Sequence, residues 1–174
     1  MNKSIYALSS LCLALAGTLS WAQAAAPNDA QIAGIVVAAN TVDIEAGELA
    51  RTSAKDKQVK DFGQRMVTDH TGVNKQATAL VKKLNVTPEE SATSKALKEG
   101  GAANIAKLKG MKGATFDKAY VDNEVTYHQT VLDAIDKTLI PNAKNAELKG
   151  LLEQVRPAID AHLQHAKQMQ AAMK

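Results

Sequence analysis

Three of the four histidines in the chain fall on apolar helical columns. His70 follows Met66 by four residues and precedes Val73 by three. His128 follows Val125 by three and precedes Leu132 by four, and His162 follows Ile159 by three and Val155 by seven. Residues three, four and seven apart share one face of a helix, so each imidazole points inward with its apolar neighbours. Each also lies near the middle of its helical segment. In an up-and-down bundle the helix midpoints share one layer, so the three rings should converge. The first helix brings Asp43 and Glu45 to that level, and the spacing lets one of the two face inward. Three imidazoles and a carboxylate make a mid-bundle site for one divalent transition ion: Zn, Fe, Cu or Mn. The alternative is a structural layer, with the rings hydrogen-bonded to each other or to Asp43, Glu45, Asp69, Glu124, Tyr120 or Tyr127. His165, next to Gln164 and Lys167, reads as a solvated boundary residue. Met66 and Met169 read as core filler, and nothing specific supports a haem held by Met and His.

Four stripes of apolar residues must position this layer. The first runs Ile32, Ile35, Val36, Ala39, Val42, Ala46, Leu49, with Asp29 as expected N-cap. The second runs Val59, Phe62, Met66, Val73, Ala77, Leu80, Leu84 and should end by Pro88. The third runs Phe116, Tyr120, Val121, Val125, Val131, Leu132, Ile135 and should end at Pro141. The fourth runs Leu148, Leu152, Val155, Ile159, Leu163, Ala166, Met169, with Pro157 inside it and expected to bend it. The first and third connections are short, which makes antiparallel hairpins. The middle one, Asn85 to Gly113, is long and should hold two short helices, Ser91–Glu99 and Ala102–Lys109, split by Gly100-Gly101. The expected fold is all-α: a ferritin-like four-helix bundle, two antiparallel hairpins joined by a long, partly helical crossover.

Composition agrees. Hydrophobic residues are 45% of 174, aromatics only 3%, which suits helices rather than a sheet or an aromatic base-stacking surface. A net charge of +3 is too balanced to imply a nucleic-acid partner. The Lys-rich stretch from Lys95 to Lys118 reads as the solvated face of the crossover.

The first residues read as a secretory signal peptide: Lys3, an apolar run from Ile5 to Ala16, then Ala22-Gln23-Ala24. The run is shorter than the ~20 residues a spanning helix needs. Cleavage after Ala24 gives a signal at 1–24 and a single domain at 25–174, periplasmic, with no stable membrane insertion afterwards. Cys12 is the only cysteine, so the mature domain has no thiol chemistry.

The chain resembles an exported bacterial family catalogued as domain of unknown function 4142. The marks are Asp43-Ile44-Glu45-Ala46-Gly47-Glu48-Leu49-Ala50, Val59-Lys60-Asp61-Phe62, Met66-Val67-Thr68-Asp69-His70, Phe116-Asp117-Lys118-Ala119-Tyr120-Val121, His128, and Pro157 before His162-Leu163. The resemblance implies a ferritin-like fold and export. It departs at Asp43, usually Glu in the family, and at Glu124 and Tyr127, often Met and Asp. Glu124 adds a carboxylate one turn before His128.

The family brings no established activity. A di-iron oxidase needs Glu-x-x-His on two helices, whereas Val67, Val125 and Ile159 stand three before the histidines. A mononuclear His-rich site is the first reading. A non-catalytic envelope protein that binds a protein partner, with structural histidines, is the second. An enzyme using His70 or His128 as acid or base ranks last, because no nucleophile or oxyanion donor is placed beside them.

Overall fold

A computed structural model describes residues 26–173, and the expected signal peptide lies outside them. The described residues form α1 (Asp29–Ser53), α2 (Lys57–Lys83), α3 (Ala92–Lys109), α4 (Gly113–Ala134), a π-helical turn (Ile135–Leu139), the short α5 (Ile140–Asn142) and α6 (Ala146–Ala172). No strand occurs among them. None of these helices is long and apolar enough to cross a membrane.

Helices α1, α2, α4 and α6 make the bundle. Contacts between their ends fix the directions. Backbone N–H groups of Lys55 and Asp56, after α1, donate to the Asp117 carboxylate at the start of α4, both at 2.9 Å. At the other end the N–H groups of Lys144 and Asn145 donate to Asp29 at 2.8 and 3.0 Å. Helices α1 and α4 therefore run antiparallel, as do the hairpin pairs α1–α2 and α4–α6. Lys83 at the end of α2 pairs with Glu147 at the start of α6, so those two are antiparallel as well. Helices α2 and α4 thus run parallel on opposite corners, which only a long crossover can join. That crossover is α3, which packs along α1.

Local signals explain the boundaries, with corrections to the expected ones. The α1 N-cap is Asn28, which forms a capping box with Gln31. Asp29 is the first helical residue, and its carboxylate serves the distant 144–145 turn instead. Helix α2 stops at Lys83, ahead of Pro88, where Asn85 takes a left-handed φ of 52°. Asn tolerates that region better than most side chains. Helix α3 is one continuous helix and Gly100-Gly101 does not split it. Its Gly101 lies against α1, where an added Cβ would come within 2.7 Å of Val42. Helix α4 gives way at Ile135 to the π turn, ahead of the expected end at Pro141, and that turn is closed by Ile140 N–H to Ile135 C=O. Pro141, which has no N–H to give, follows inside α5. Pro157 lies within α6 without ending it.

The core has two apolar parts. One holds Ile32, Ile35, Leu132, Ile135, Leu139, Leu148, Leu152 and Ile159 near the start of α1. The other holds Ala46, Ala50, Phe62, Met66, Phe116, Tyr120 and Ala166 near its end. Between them lies a slice of buried polar side chains.

Candidate metal centre

The polar slice draws on all four bundle helices: Asn40 and Asp43 from α1, His70 from α2, Glu124 and His128 from α4, His162 from α6. Asp43, Glu124, His128 and His162 are each no more than 1% exposed, and His70 is 4% exposed. The three ring centroids stand 5.3 to 5.8 Å apart. The convergence expected from the heptads is present. Of the two expected carboxylates, Asp43 is in the slice. Glu45 is exposed on the opposite face of α1 and does not approach the histidines.

A close approach of α1 and α2 holds Asp43 to His70. An added Cβ at Gly47 would lie 2.7 Å from the Gly63 carbonyl oxygen, and one at Gly63 would lie 2.8 Å from the Gly47 oxygen. Only glycine at both positions permits this spacing.

The hydrogen bonds around the rings decide which nitrogen carries a proton. Asn40 Nδ2 donates to the Val36 carbonyl at 2.8 Å, which turns its Oδ1 toward His70. His70 Nδ1–H therefore donates to Asn40 Oδ1 at 2.7 Å. His128 Nδ1–H donates to the Glu124 carbonyl at 3.0 Å. His162 Nε2–H donates to Asp69 Oδ2 at 2.9 Å, and Asp69 also pairs with Arg65. Each ring thus spends one nitrogen on an outer acceptor, the usual arrangement of metal-ligating histidines. The nitrogens left over are His70 Nε2, His128 Nε2 and His162 Nδ1. All three are buried without a hydrogen-bond partner, as are both oxygens of Asp43 and of Glu124 and the Tyr120 hydroxyl.

Asp43 Oδ2 lies 2.8 Å from His70 Nε2 and 3.2 Å from His128 Nε2. These are ion-pair distances, but neither contact has hydrogen-bond alignment. With the Nδ1 protons used elsewhere, neutral rings would turn lone pairs toward a carboxylate. Such contacts repel unless a proton or a metal cation lies among the donors. Two donor groups are close enough to hold an ion, with ligand atoms within 4.8 Å of one another: His70, His128, His162, and Asp43, Glu124, His128. Two donors ~2.1 Å from one ion are at most ~4.2 Å apart, so the side chains stand close to ligation distance.

The metal-free protonation pattern follows from burial and neighbours. Burial alone would raise the Asp43 pKa, but the close approach of His70, then the charge of His128, bring it down to about 2. Burial and the Asp43 charge push Glu124 up, so its carboxyl holds a proton well above the usual carboxylate range. Burial depresses His128, yet hydrogen bonding to Glu124 and the Asp43 charge prevail and raise it to about 9. Burial lowers His162 to about 4 against the opposing effect of the hydrogen bond it donates to Asp69. Without a metal, then, protons on His128 and Glu124 offset the Asp43 charge, and His162 stays neutral.

The heptad columns place the three histidines, whereas Glu124 lies outside the expected ligand set. Its signal was visible, since Glu124 lies four residues before His128 and four after Tyr120 on the inward face. Asn40 was not singled out. His165 is half-buried and meets the edge of Phe62 at 5.2 Å between centroids, away from the slice. Tyr127 donates its hydroxyl to the Ala39 carbonyl at 2.8 Å.

The sequence profile of one family, Domain of unknown function (DUF4142), matches residues 16–169. The chain belongs to this family. No curated protein and no solved structure matches it.

Proposed function

We propose that this is an exported, periplasmic protein whose bundle binds one divalent first-row transition ion. The ligands are His70 Nε2, His128 Nε2, His162 Nδ1 and Asp43, with Glu124 as the further oxygen donor. One observation carries this reading: every ring has its outer nitrogen committed to an acceptor, while the inner nitrogens and both carboxylates face one another without partners. Unpaired buried groups cost on the order of 1–3 kcal/mol each, and a cation would satisfy the whole set at once. Three neutral imidazoles and two carboxylates also neutralise a divalent ion.

The site is mononuclear in this reading. Both donor groups share His128, whose second nitrogen is already used by the Glu124 carbonyl. Nitrogen and oxygen donors without thiolate suit Fe, Mn, Zn or Cu(II) and disfavour soft Cu(I). The role is binding, and no catalytic step is assigned to these residues. Export rests on Lys3, the apolar run and Ala22-Gln23-Ala24. N-terminal sequencing of periplasmic protein should return Ala25, and Met1 would overturn export.

Elemental analysis of protein purified from the periplasm tests the metal. About one ion per chain is expected, and calorimetry of chelator-treated protein should show a melt raised by one of Zn, Mn, Cu or Fe. Saturation at a hundred times the dissociation constant adds about 2.7 kcal/mol, and His70→Ala should remove most of it. If no metal co-purifies and none shifts the melt, the layer is structural and the partner-binding reading takes its place.

A further inference from the structure

A cavity of about 100 Å³ adjoins the polar slice on the side of the aliphatic core. Its walls include Ile35, Val36, Val73, Val131, Ile135 and Ile159. The π turn contributes Ile135 and Leu139, and one wide turn in place of a regular one is a recurring device near functional sites. Arg156 of α6 clamps this turn through a two-pronged pair with Asp136, both contacts at 2.7 Å. At its inner end the cavity touches Asn40, Asp43, His70 and His128, but neither His162 nor Glu124. At its outer end it touches Thr93 and Leu97 of α3 and Thr130 of α4. Thr93 and Thr130 are exposed and Leu97 is half-buried. The same three residues, with Tyr127, line a surface groove between α3 and α4. Leu97 therefore stands between groove and chamber.

From this geometry we propose that the chamber takes up a small uncharged molecule, of the size and polarity of dioxygen or nitric oxide, and presents it to the Asp43–His70–His128 side of the metal layer. Entry is past Leu97. The inference rests on the metal reading above and adds to it a ligand class and a route. Size and polarity select that class. An apolar cavity of about 150 Å³ stays dry and accepts benzene or xenon, so a chamber two-thirds as large holds molecules of about two to four heavy atoms. Between its two polar ends the walls are aliphatic, so an anion crossing the chamber finds nothing to replace its hydration, and transfer of an unpaired charge through such a space is strongly unfavourable. A charged molecule of similar size, such as azide, should therefore be excluded.

Two measurements test this, one of which needs no metal. Chelator-treated protein should shift the xenon-129 resonance saturably. Val131→Phe, which adds a ring to the chamber wall and replaces none of the histidines, should abolish the saturable part. Ala134→Leu gives the same readout should Val131→Phe fail to fold. In the second measurement, protein loaded with Fe(II) is mixed anaerobically with nitric oxide, and the ferrous nitrosyl is read by electron paramagnetic resonance. We expect a full-amplitude signal in the wild type. Leu97→Trp should slow its formation tenfold or more, and Leu97→Ala should speed it. Azide should leave the visible spectrum of the cobalt-loaded protein unchanged. Iron binding without saturable xenon uptake or a nitrosyl signal overturns the chamber and leaves the metal site standing. Rates equal in Leu97→Trp, Leu97→Ala and wild type overturn the route. Failure of iron, cobalt and the other ions to bind overturns the metal reading, and the proposed presentation to a metal falls with it.

Discussion

The two apolar halves of this bundle are built differently on either side of one polar slice. The half near the end of α1 sets large rings against small residues. Phe116 stacks on Tyr120 at 6.4 Å between centroids, Phe62 meets Tyr120 edge-on at 6.3 Å, and Ala46, Ala50 and Ala166 face them. Gly47 and Gly63 let α1 and α2 close up beside the rings. The half near the start of α1 is aliphatic, carries the π turn and keeps a cavity against the histidines. The contrast shows how one bundle can fix its buried polar side chains firmly and still leave room beside them. The sealed half fixes helix spacing at the slice, and the open half supplies the space.

The largest effect should come from the sealed half. Phe116→Ala and Phe62→Ala, each removing a ring that is 1% exposed, should cost about 3–5 kcal/mol. In the open half, Ile159→Val should cost about 0.5–1.5 kcal/mol. Chemical denaturation of the three variants measures the difference. A cost below about 2 kcal/mol for both ring deletions would show that the rings do not hold the sealed half together.

Next comes the slice itself, where metal binding should cancel the pH dependence of the metal-free fold. In the metal-free protein His128 titrates near 9 instead of 6.5. Its raised pKa stabilises the fold fully below pH 6.5, and that contribution is lost as pH rises through 9. Glu124, also raised, acts in the same direction once the unfolded chain ionises above the ordinary Glu value of 4.5. The metal-free melting temperature should therefore fall from pH 6.5 to 9. A metal must displace those same protons, so its stabilising increment should grow over that window. Titration at pH 7 in buffers of different ionisation enthalpy should show a proton released from His128 and another from Glu124. Glu124→Gln should remove the second. A metal-induced increment that shrinks with rising pH would break this account.

These residues also show what could be read in advance. The heptad columns placed His70, His128 and His162 inward because a helix repeats its faces regularly, and a shared depth followed from bundle geometry. The choice between Asp43 and Glu45 needed the actual rotation of α1, which packing against α2, α3 and α4 sets. Glu124 was legible as an inward residue but not as a neighbour of Asp43, because their proximity depends on how α1 and α4 cross. Gly100-Gly101 suggested a break from intrinsic propensity, and packing on Val42 overrode it. The π turn has no periodic signature, so the wide part of the bundle and the chamber beside it were invisible in the pattern.

A smaller effect separates the two ends of the bundle. Asp117 and Asp29 play matching parts, each accepting two backbone N–H bonds from the turn of the other hairpin. Asp117 is 5% exposed and Asp29 only half-buried. Hydrogen bonds to a charged group contribute about 1.5–3 kcal/mol when well buried. Asp117→Ala should therefore cost about 2 kcal/mol and Asp29→Ala about 1 kcal/mol or less. Hydrogen exchange should place the added opening of Asp117→Ala at residues 54–57. Equal losses would mean that burial does not distinguish these two turns.

The finest test fills space in each half with the same side chain. Ala50 is fully buried beside the rings and opposite Gly63, where an added methylene has nowhere to go. Ala50→Leu should thus be overpacked and lose about 1–3 kcal/mol. Ala134 borders the chamber next to the π turn. Its substitution by Leu adds apolar contact inside existing space, and each buried methylene contributes about 0.8 kcal/mol in favour. Loss of side-chain freedom returns about 0.5–1 kcal/mol, so with three carbons added Ala134→Leu should gain about 1–2 kcal/mol over wild type. Thermal melts of the two variants in metal-free protein measure this directly. A loss above about 2 kcal/mol at Ala134 would show that the chamber walls cannot receive a side chain. The open half would then be as tightly specified as the sealed one.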